Sequence, residues 1–267
     1  MAKSNKEKPS GFNRIKAVAF DLDGTIYLGN QLIDGVKELL ELLSLKHIKV
    51  FYFTNNSMKT REQVFKKLYD MGIELTLDQV YTSAYATAKY IAKADMKNVY
   101  CIGSDDLKRQ LEAEGAVVSE DTENAQATII GLDPEFDYKK LAKAMNVIRK
   151  GGKIIACNVD RNYPVENGVL LPACGAIVAA VEGSLGVKTD YIVGKPGIFM
   201  IELLAKDWGL KNIDILVIGD TFDSDIAMAR KFGSPSILIT EKKVKENSGM
   251  KVVEKTSDIK AVLEKML

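Results

Sequence analysis

Residues 17–25 read AVAFDLDGT, four apolar residues followed by Asp21, Leu22, Asp23, Gly24 and Thr25. A short, continuous apolar run with no polar alternation suits a strand buried on both faces, as in a parallel sheet covered by helices. The same grammar recurs at 215–225, ILVIGDTFDSD, where a second apolar run leads into Asp220, Asp223 and Asp225. In open parallel sheets, ligands bind beyond the carboxyl ends of the strands near a topological switch point, which is where both sets of acids would fall.

Outward from these two strands, helix and strand patterns alternate. Leu39, Leu40, Leu42 and Leu43 follow at helical spacing, and IKVFYF (48–53) reads as the next strand. Thr60 with Gln63 three residues on predicts a capped helix through Val64, Leu68 and Met71 that closes at Gly72. A short strand at VYTS (80–83) and a helix from about Ser83 to Ala94 follow. Next comes a block with its own alternation: NVYCI, a helix from Ser104 to Glu114, ATIIGL, a helix from about Tyr138 to Arg149, KIIAC, and a helix through CGAIVAAVEG. DYIVGKPG (190–197), a helix to about Trp208, DILVIGD, a helix through Ile226 to Lys231, and PSILIT then resume the first pattern.

The expected fold class is α/β, a Rossmann-like doubly wound parallel sheet interrupted by a smaller α/β domain. The expected boundaries are a loose tail over 1–14, core over 15–85, insert over 86–189, and core again over 190–267. Ile259, Val262, Leu263 and Met266 read as a helix packed on the core.

Composition excludes several classes of function. Lys plus Arg number 37 against 36 Asp plus Glu, a net charge of +1, so no basic excess meets nucleic acid or an anionic membrane. No run approaches the roughly twenty apolar residues of a membrane helix. Cys101, Cys157 and Cys174 form no CxxC pair, and their odd number suits a reducing, cytoplasmic setting. Cys157 and Cys174 lie in or beside apolar runs and read as buried small hydrophobes. The only histidine, His47, reads as structural, and with no GxSxG elbow a Ser-His-Asp hydrolase is disfavoured.

Acids gathered at neighbouring strand ends repel one another unless a cation neutralises them, and an all-oxygen ligand set points to a hard ion, Mg²⁺. Asp21, Asp23 and Asp220 are the candidates, with Asp225 nearby; Asp223 reads as a helix-capping residue. The YFTNNS strand end supplies Thr54 and Asn55, hydrogen-bond donors for phosphoryl oxygens. IVGKPG supplies the compact charge of Lys195, with Pro196 expected in a first helical turn. Cation, lysine, hydroxyl and amide around an aspartate are what phosphoryl transfer needs. Taken alone, a DxD at a turn also serves as a cap or a solvated loop, and Thr54 or Lys195 alone would be an ordinary surface residue.

DLDGT, the Thr of FTNN, the Lys of GKP and GDTFDSD, in that order, resemble the four motifs of the haloacid dehalogenase (HAD) superfamily. GLDPEFDYKKLAKAM, IIACNVDRNYPVENG and LLPACGAIVAAVEG resemble the type II cap of the NagD-like phosphatases, the group that includes p-nitrophenylphosphatase. The resemblance implies a HAD-like core with an inserted cap. It implies Asp21 as nucleophile, forming an aspartyl-phosphate and ligating Mg²⁺. Asp23 is then the general acid/base and a metal ligand through its backbone carbonyl, and Asp220 is the third protein ligand. Asp225 becomes a supporting residue that fixes a metal water or Lys195. Thr54, Asn55, Asn56 and Lys195 would bind phosphate. An acid at Asp23 also argues against a dehalogenase or a P-type ATPase.

In the resembling enzymes the cap loop that matches CNVDRNYPVENG contacts the leaving group. Tyr163 stands roughly where the pyridoxal phosphate phosphatases carry histidine, and is taken as substrate-binding. Asp160 and Tyr163 either hydrogen-bond sugar hydroxyls or stabilise the turn before Pro164. The implied partner is a small phosphorylated metabolite, a sugar phosphate, nucleotide or p-nitrophenyl phosphate-like ester, and a cap-mediated homodimer is admitted. Phosphomutase activity and a non-catalytic phosphate-binding or receiver-like signalling role are the alternatives.

Overall fold

The run AVAF forms the strand Ala17–Asp21, with every residue buried. The computed structural model describes residues 14–164 and 169–266; residues 1–13 of the expected tail over 1–14 and residues 165–168 of the loop CNVDRNYPVENG lie outside the described residues. The chain divides into two units, one made of residues up to Phe53 and from Leu204 onward, the other of Thr54–Leu203.

In the first unit, Ala17–Asp21 is flanked on one side by Lys49–Thr54 and on the other by Ile215–Gly219, both parallel to it. Ser236–Ile239 and Met250–Val253 extend the sheet beyond Ile215–Gly219, again in parallel. The chain builds outward from Ala17–Asp21 in one direction and later returns to build in the other, so the switch point lies between Ala17–Asp21 and Ile215–Gly219. Register fixes their carboxyl ends together: Phe20 is opposite Ile218, leaving Asp21 and Asp220 to emerge side by side.

Continuous burial selects the apolar composition of these strands, and helices supply the cover. Val36–Leu45 buries Val36, Leu39, Leu42 and Leu43 and packs against Thr256–Met266. Their approach is so close that a Cβ on Gly35 would fall 2.6 Å from the Ser257 α-carbon. Met250–Val253 and the small hairpin of Tyr27–Leu28 with Gln31–Leu32 are absent from the sequence expectation. Both are too short or too mixed in polarity to register as periodic runs.

The second unit holds a five-stranded parallel sheet in the order Tyr191–Ile192, Lys153–Ala156, Ala127–Ile130, Asn98–Ile102, Val117–Val118. Its last strand in sequence, Tyr191–Ile192, falls just beyond the expected insert boundary at 189. Helices Asp105–Ala113, Tyr138–Arg149 and Cys174–Leu185 belong to this unit. The capping box foreseen at Thr60 and Gln63 is present at the start of Arg61–Asp70. Pro196 departs from expectation: it follows a cis peptide bond from Lys195, and the next helix begins only at Phe199, so it shapes the turn and not a helical start.

Candidate active site

Asp21 closes its strand with its side chain buried, and Asp220 and Asp225 follow the neighbouring strand. One carboxylate oxygen from each of Asp21, Asp220 and Asp225 lies within 4.8 Å of the other two. Asp220 is exposed, whereas Asp225 is only 1% exposed. Thr221 orients both: its hydroxyl donates to Asp220 Oδ1 and its backbone N–H to Asp225 Oδ2, each at 3.1 Å. The sequence reading gave Thr221 no role; its place between the two acids was the available signal. Three anionic oxygens this close could hold a hard cation.

Asp23 stands apart from that cluster, exposed at the surface. The Tyr27 phenol donates to its Oδ2 at 3.3 Å. The turn that carries it is tightly built: Leu22 O accepts from the N–H groups of Thr25, Ile26 and Tyr27, and Gly24 N–H donates to Tyr27 O at 2.9 Å. Gly24 holds a φ of +86°, a conformation that only glycine takes at little cost. An exposed carboxyl held by one phenol can exchange a proton with a group outside the protein.

In the second unit, Thr54 is buried and its Oγ1 accepts from Asn56 N–H at 3.0 Å, a bond that leaves the hydroxyl proton to be donated elsewhere. The two asparagines have partners within this unit. Asn56 Oδ1 accepts from the N–H groups of Met58 and Lys59, shaping the turn. The Asn55 amide donates to Lys195 O at 2.9 Å and to both Asp160 carboxylate oxygens at 3.0 and 3.2 Å, and its Oδ1 accepts from Lys195 N–H at 2.9 Å. Its side chain is therefore engaged with protein and not presented to a phosphoryl group. Asn55 O in turn accepts from Ser83 Oγ and Asn158 Nδ2, each at 2.7 Å. Ser83 is a supporting residue with no motif signature in the sequence.

Lys195 is only 3% exposed, and a buried ammonium needs anionic company. Gly194 N–H donates to Cys157 O at 2.8 Å, and a Cβ on Gly194 would fall 2.7 Å from Asn55 Oδ1. Tyr163 stands opposite Leu171 in a two-stranded ribbon, where it lines a cavity of about 340 Å³ with Leu132, Phe136 and Ile177. All three cysteines are free and buried, as expected for Cys157 and Cys174. His47 sits exposed in the turn after Val36–Leu45 with a φ of +55°, a backbone role.

Residues 18–117 match the family model described as haloacid dehalogenase-like hydrolase, and residues 192–262 match one described as HAD-hydrolase-like. The acid sugar phosphatase of Staphylococcus aureus (strain USA300) is 40% identical over 223 residues, covering 83% of this chain and 85% of that protein. The chain belongs to the haloacid dehalogenase-like hydrolases. Within them its fold is that of the NagD and p-nitrophenylphosphatase group. The 4-nitrophenylphosphatase from Thermotoga maritima superposes with a TM-score of 0.85 at 31% identity, covering 94% of this chain and 98% of that one. A protein described as a nagD protein gives 0.85 and 31%, covering 93% and 98%. The chain is thus an enzyme of the phosphoric monoester hydrolase class. No helix among the described residues is long and apolar enough to cross a membrane.

Proposed function

We propose that this HAD phosphatase hydrolyses small phosphate monoesters by way of an aspartyl-phosphate at Asp21. The carrying observation is the convergence of Asp21, Asp220 and Asp225 at adjacent strand ends, in a chain 40% identical to an acid sugar phosphatase. In the first step an Asp21 carboxylate oxygen attacks phosphorus, the ester P–O bond breaks, and Asp23 gives its proton to the departing alcohol. In the second, Asp23 takes a proton from water, the water oxygen attacks phosphorus, and the bond to Asp21 breaks to release inorganic phosphate. Thr54 donates its hydroxyl to a phosphoryl oxygen, the Asn55 and Asn56 turn carries that hydroxyl, and Lys195 balances the phosphoryl charge.

The clustered oxygens of Asp21, Asp220 and Asp225 fit a hard divalent cation. Asp21, Asp220 and the Asp23 backbone carbonyl would hold Mg²⁺, with Asp225 in support; when bound it neutralises the carboxylates and draws charge from the phosphoryl group. Residues 86–189 are proposed as a type II cap over the core segments 15–85 and 190–267, with Tyr163 facing the leaving group. A cap that closes over the site restricts substrates to small esters such as sugar phosphates, nucleotides or p-nitrophenyl phosphate. A cytoplasmic enzyme, monomeric or dimeric through its cap, completes this reading.

The test is a screen of sugar phosphates, nucleoside monophosphates, phosphoglycolate, glycerol phosphate and p-nitrophenyl phosphate with Mg²⁺, with released inorganic phosphate as the readout. Turnover that Asp21→Asn abolishes supports the mechanism. Activity of the Asp21→Asn variant at more than a trace of wild type, or transfer of the phosphoryl group to a sugar hydroxyl instead of water, defeats it.

A further inference from the structure

We infer that Asp160, on the loop after Lys153–Ala156, is a positioning residue of the phosphate site that acts through Asn55 on Lys195, and that it does not read the leaving group. This rests on the proposed role of Lys195 in binding phosphate. The Asn55 side chain meets Lys195 as one strand meets another: it accepts from Lys195 N–H and donates to Lys195 O, both at 2.9 Å. Both backbone polar groups of one residue are thereby fixed by one side chain, which sets the direction in which the Lys195 stem leaves the turn. The remaining hydrogen of the Asn55 amide is shared between the two oxygens of Asp160, 105 residues away in sequence. A charged acceptor makes that the stronger partner and holds the amide plane in the orientation Lys195 requires.

Asp160 is itself held on three sides. Its N–H donates to Asn158 Oδ1 at 3.1 Å, while Asn158 Nδ2 returns to Asn55 O at 2.7 Å, closing a ring of two asparagines and one aspartate. Its carbonyl accepts from Gly175 N–H at 2.8 Å. A Cβ on Gly175 would fall 2.7 Å from that carbonyl oxygen, so the loop lies flat on the start of Cys174–Leu185. A carboxylate that accepts from Asn55 while its own backbone is fixed on both sides is built for support.

The two roles separate by their dependence on the leaving group. Asp160→Ala is compared with wild type in kcat/KM for p-nitrophenyl phosphate, glycerol phosphate and a hexose phosphate. Its Kd for inorganic phosphate is measured by calorimetry in Mg²⁺. The expected result is a loss of about tenfold that is equal for all three esters, with the phosphate Kd raised by the same factor. A loss confined to the hexose phosphate, or no change in phosphate affinity, overturns the proposal. Asn55→Asp places a third acceptor against Asp160 and Lys195 O, and is expected to lose about a hundredfold. Asn55→Asp with Asp160→Asn restores a donor across the pair and should recover about tenfold of that loss; no recovery in a folded double variant counts against the pairing. If Asn55→Asp does not fold, the Asp160→Ala comparison decides alone. Should wild type turn over none of the esters, the functional reading fails, and the phosphate titrations still decide whether Asp160 supports the site.

Discussion

Gly24 and Asp220 stand in a contact that no other residue at 24 could make. A Cβ built on Gly24 would fall 2.9 Å from Asp220 Cγ and closer still to its Oδ2, and the backbone there has a φ of +86°. The turn that carries Asp23 is thus pressed against the carboxylate that joins Asp21 and Asp225. Gly24→Ala should cost about 1–2 kcal/mol from the left-handed backbone alone. It should also push Asp220 out of the cluster, so the Mg²⁺ concentration for half-maximal binding, read by calorimetry, rises as well. A variant that loses stability but binds Mg²⁺ like wild type would show that Asp220 yields without consequence.

Asp225 and Asp223 lie two residues apart in the same segment, yet only Asp225 is buried and only Asp225 reaches the carboxylate cluster. Asp225→Asn keeps the shape, leaves Thr221 N–H an acceptor, and removes one negative charge. Its Mg²⁺ affinity should fall about 10- to 100-fold, the usual effect of losing a supporting or ligating carboxylate. Asp223→Asn, at an exposed position, should stay within a factor of about two under the same titration. Equal effects from the two variants would mean that the field of the segment, and not the placement of Asp225, governs binding.

The parts of this arrangement that follow from chain order were legible in the sequence. Apolar runs ending in acids located Ala17–Asp21 and Ile215–Gly219, because a strand buried on both faces admits little but Val, Ile, Leu, Ala and Phe. Tyr138–Arg149 was found with its boundaries because one helical face repeats over three turns. What escaped depends on partners far apart in the chain. Asn55 looked like a phosphate donor because its amide has the right chemistry; that Lys195 and Asp160 would occupy it is a tertiary fact. Thr221 and Ser83 are small polar residues whose roles exist only once their neighbours are placed. Met250–Val253 was missed because its burial alternates weakly and its support comes from Ser236–Ile239.

The three thiols are structural, and their chemistry should say so. Burial raises the Cys157 thiol up to about 12, against a lesser opposing effect from the Thr87 hydroxyl at 3.4 Å. Burial also pushes Cys101 and Cys174 well above the ordinary thiol range. Since the thiolate is the reactive form, a disulfide reagent at pH 8 should label the native protein far more slowly than free cysteine, and all three thiols should react once denaturant is added. Rapid labelling of one native thiol would show local opening around it.

Asp214 gives the fold a pH-dependent contribution away from the cluster. The Lys211 backbone N–H at 3.0 Å, then the Lys16 ammonium at 3.3 Å, hold its carboxyl below the usual carboxylate range. A carboxylate with a depressed folded-state pKa stabilises the fold fully above its unfolded value, about 3.9, and loses that contribution as pH falls through the folded value. Asp214→Asn keeps an acceptor for Lys211 but gives up the charge. In urea denaturation the variant should be less stable than wild type at pH 7 and pH 5. The gap should narrow below about pH 4, as the wild-type carboxyl takes up its proton. A gap that stays constant from pH 7 to pH 3 would mean that shape and hydrogen bonding at this position, and not the ionised carboxylate, hold the entry to Ile215–Gly219.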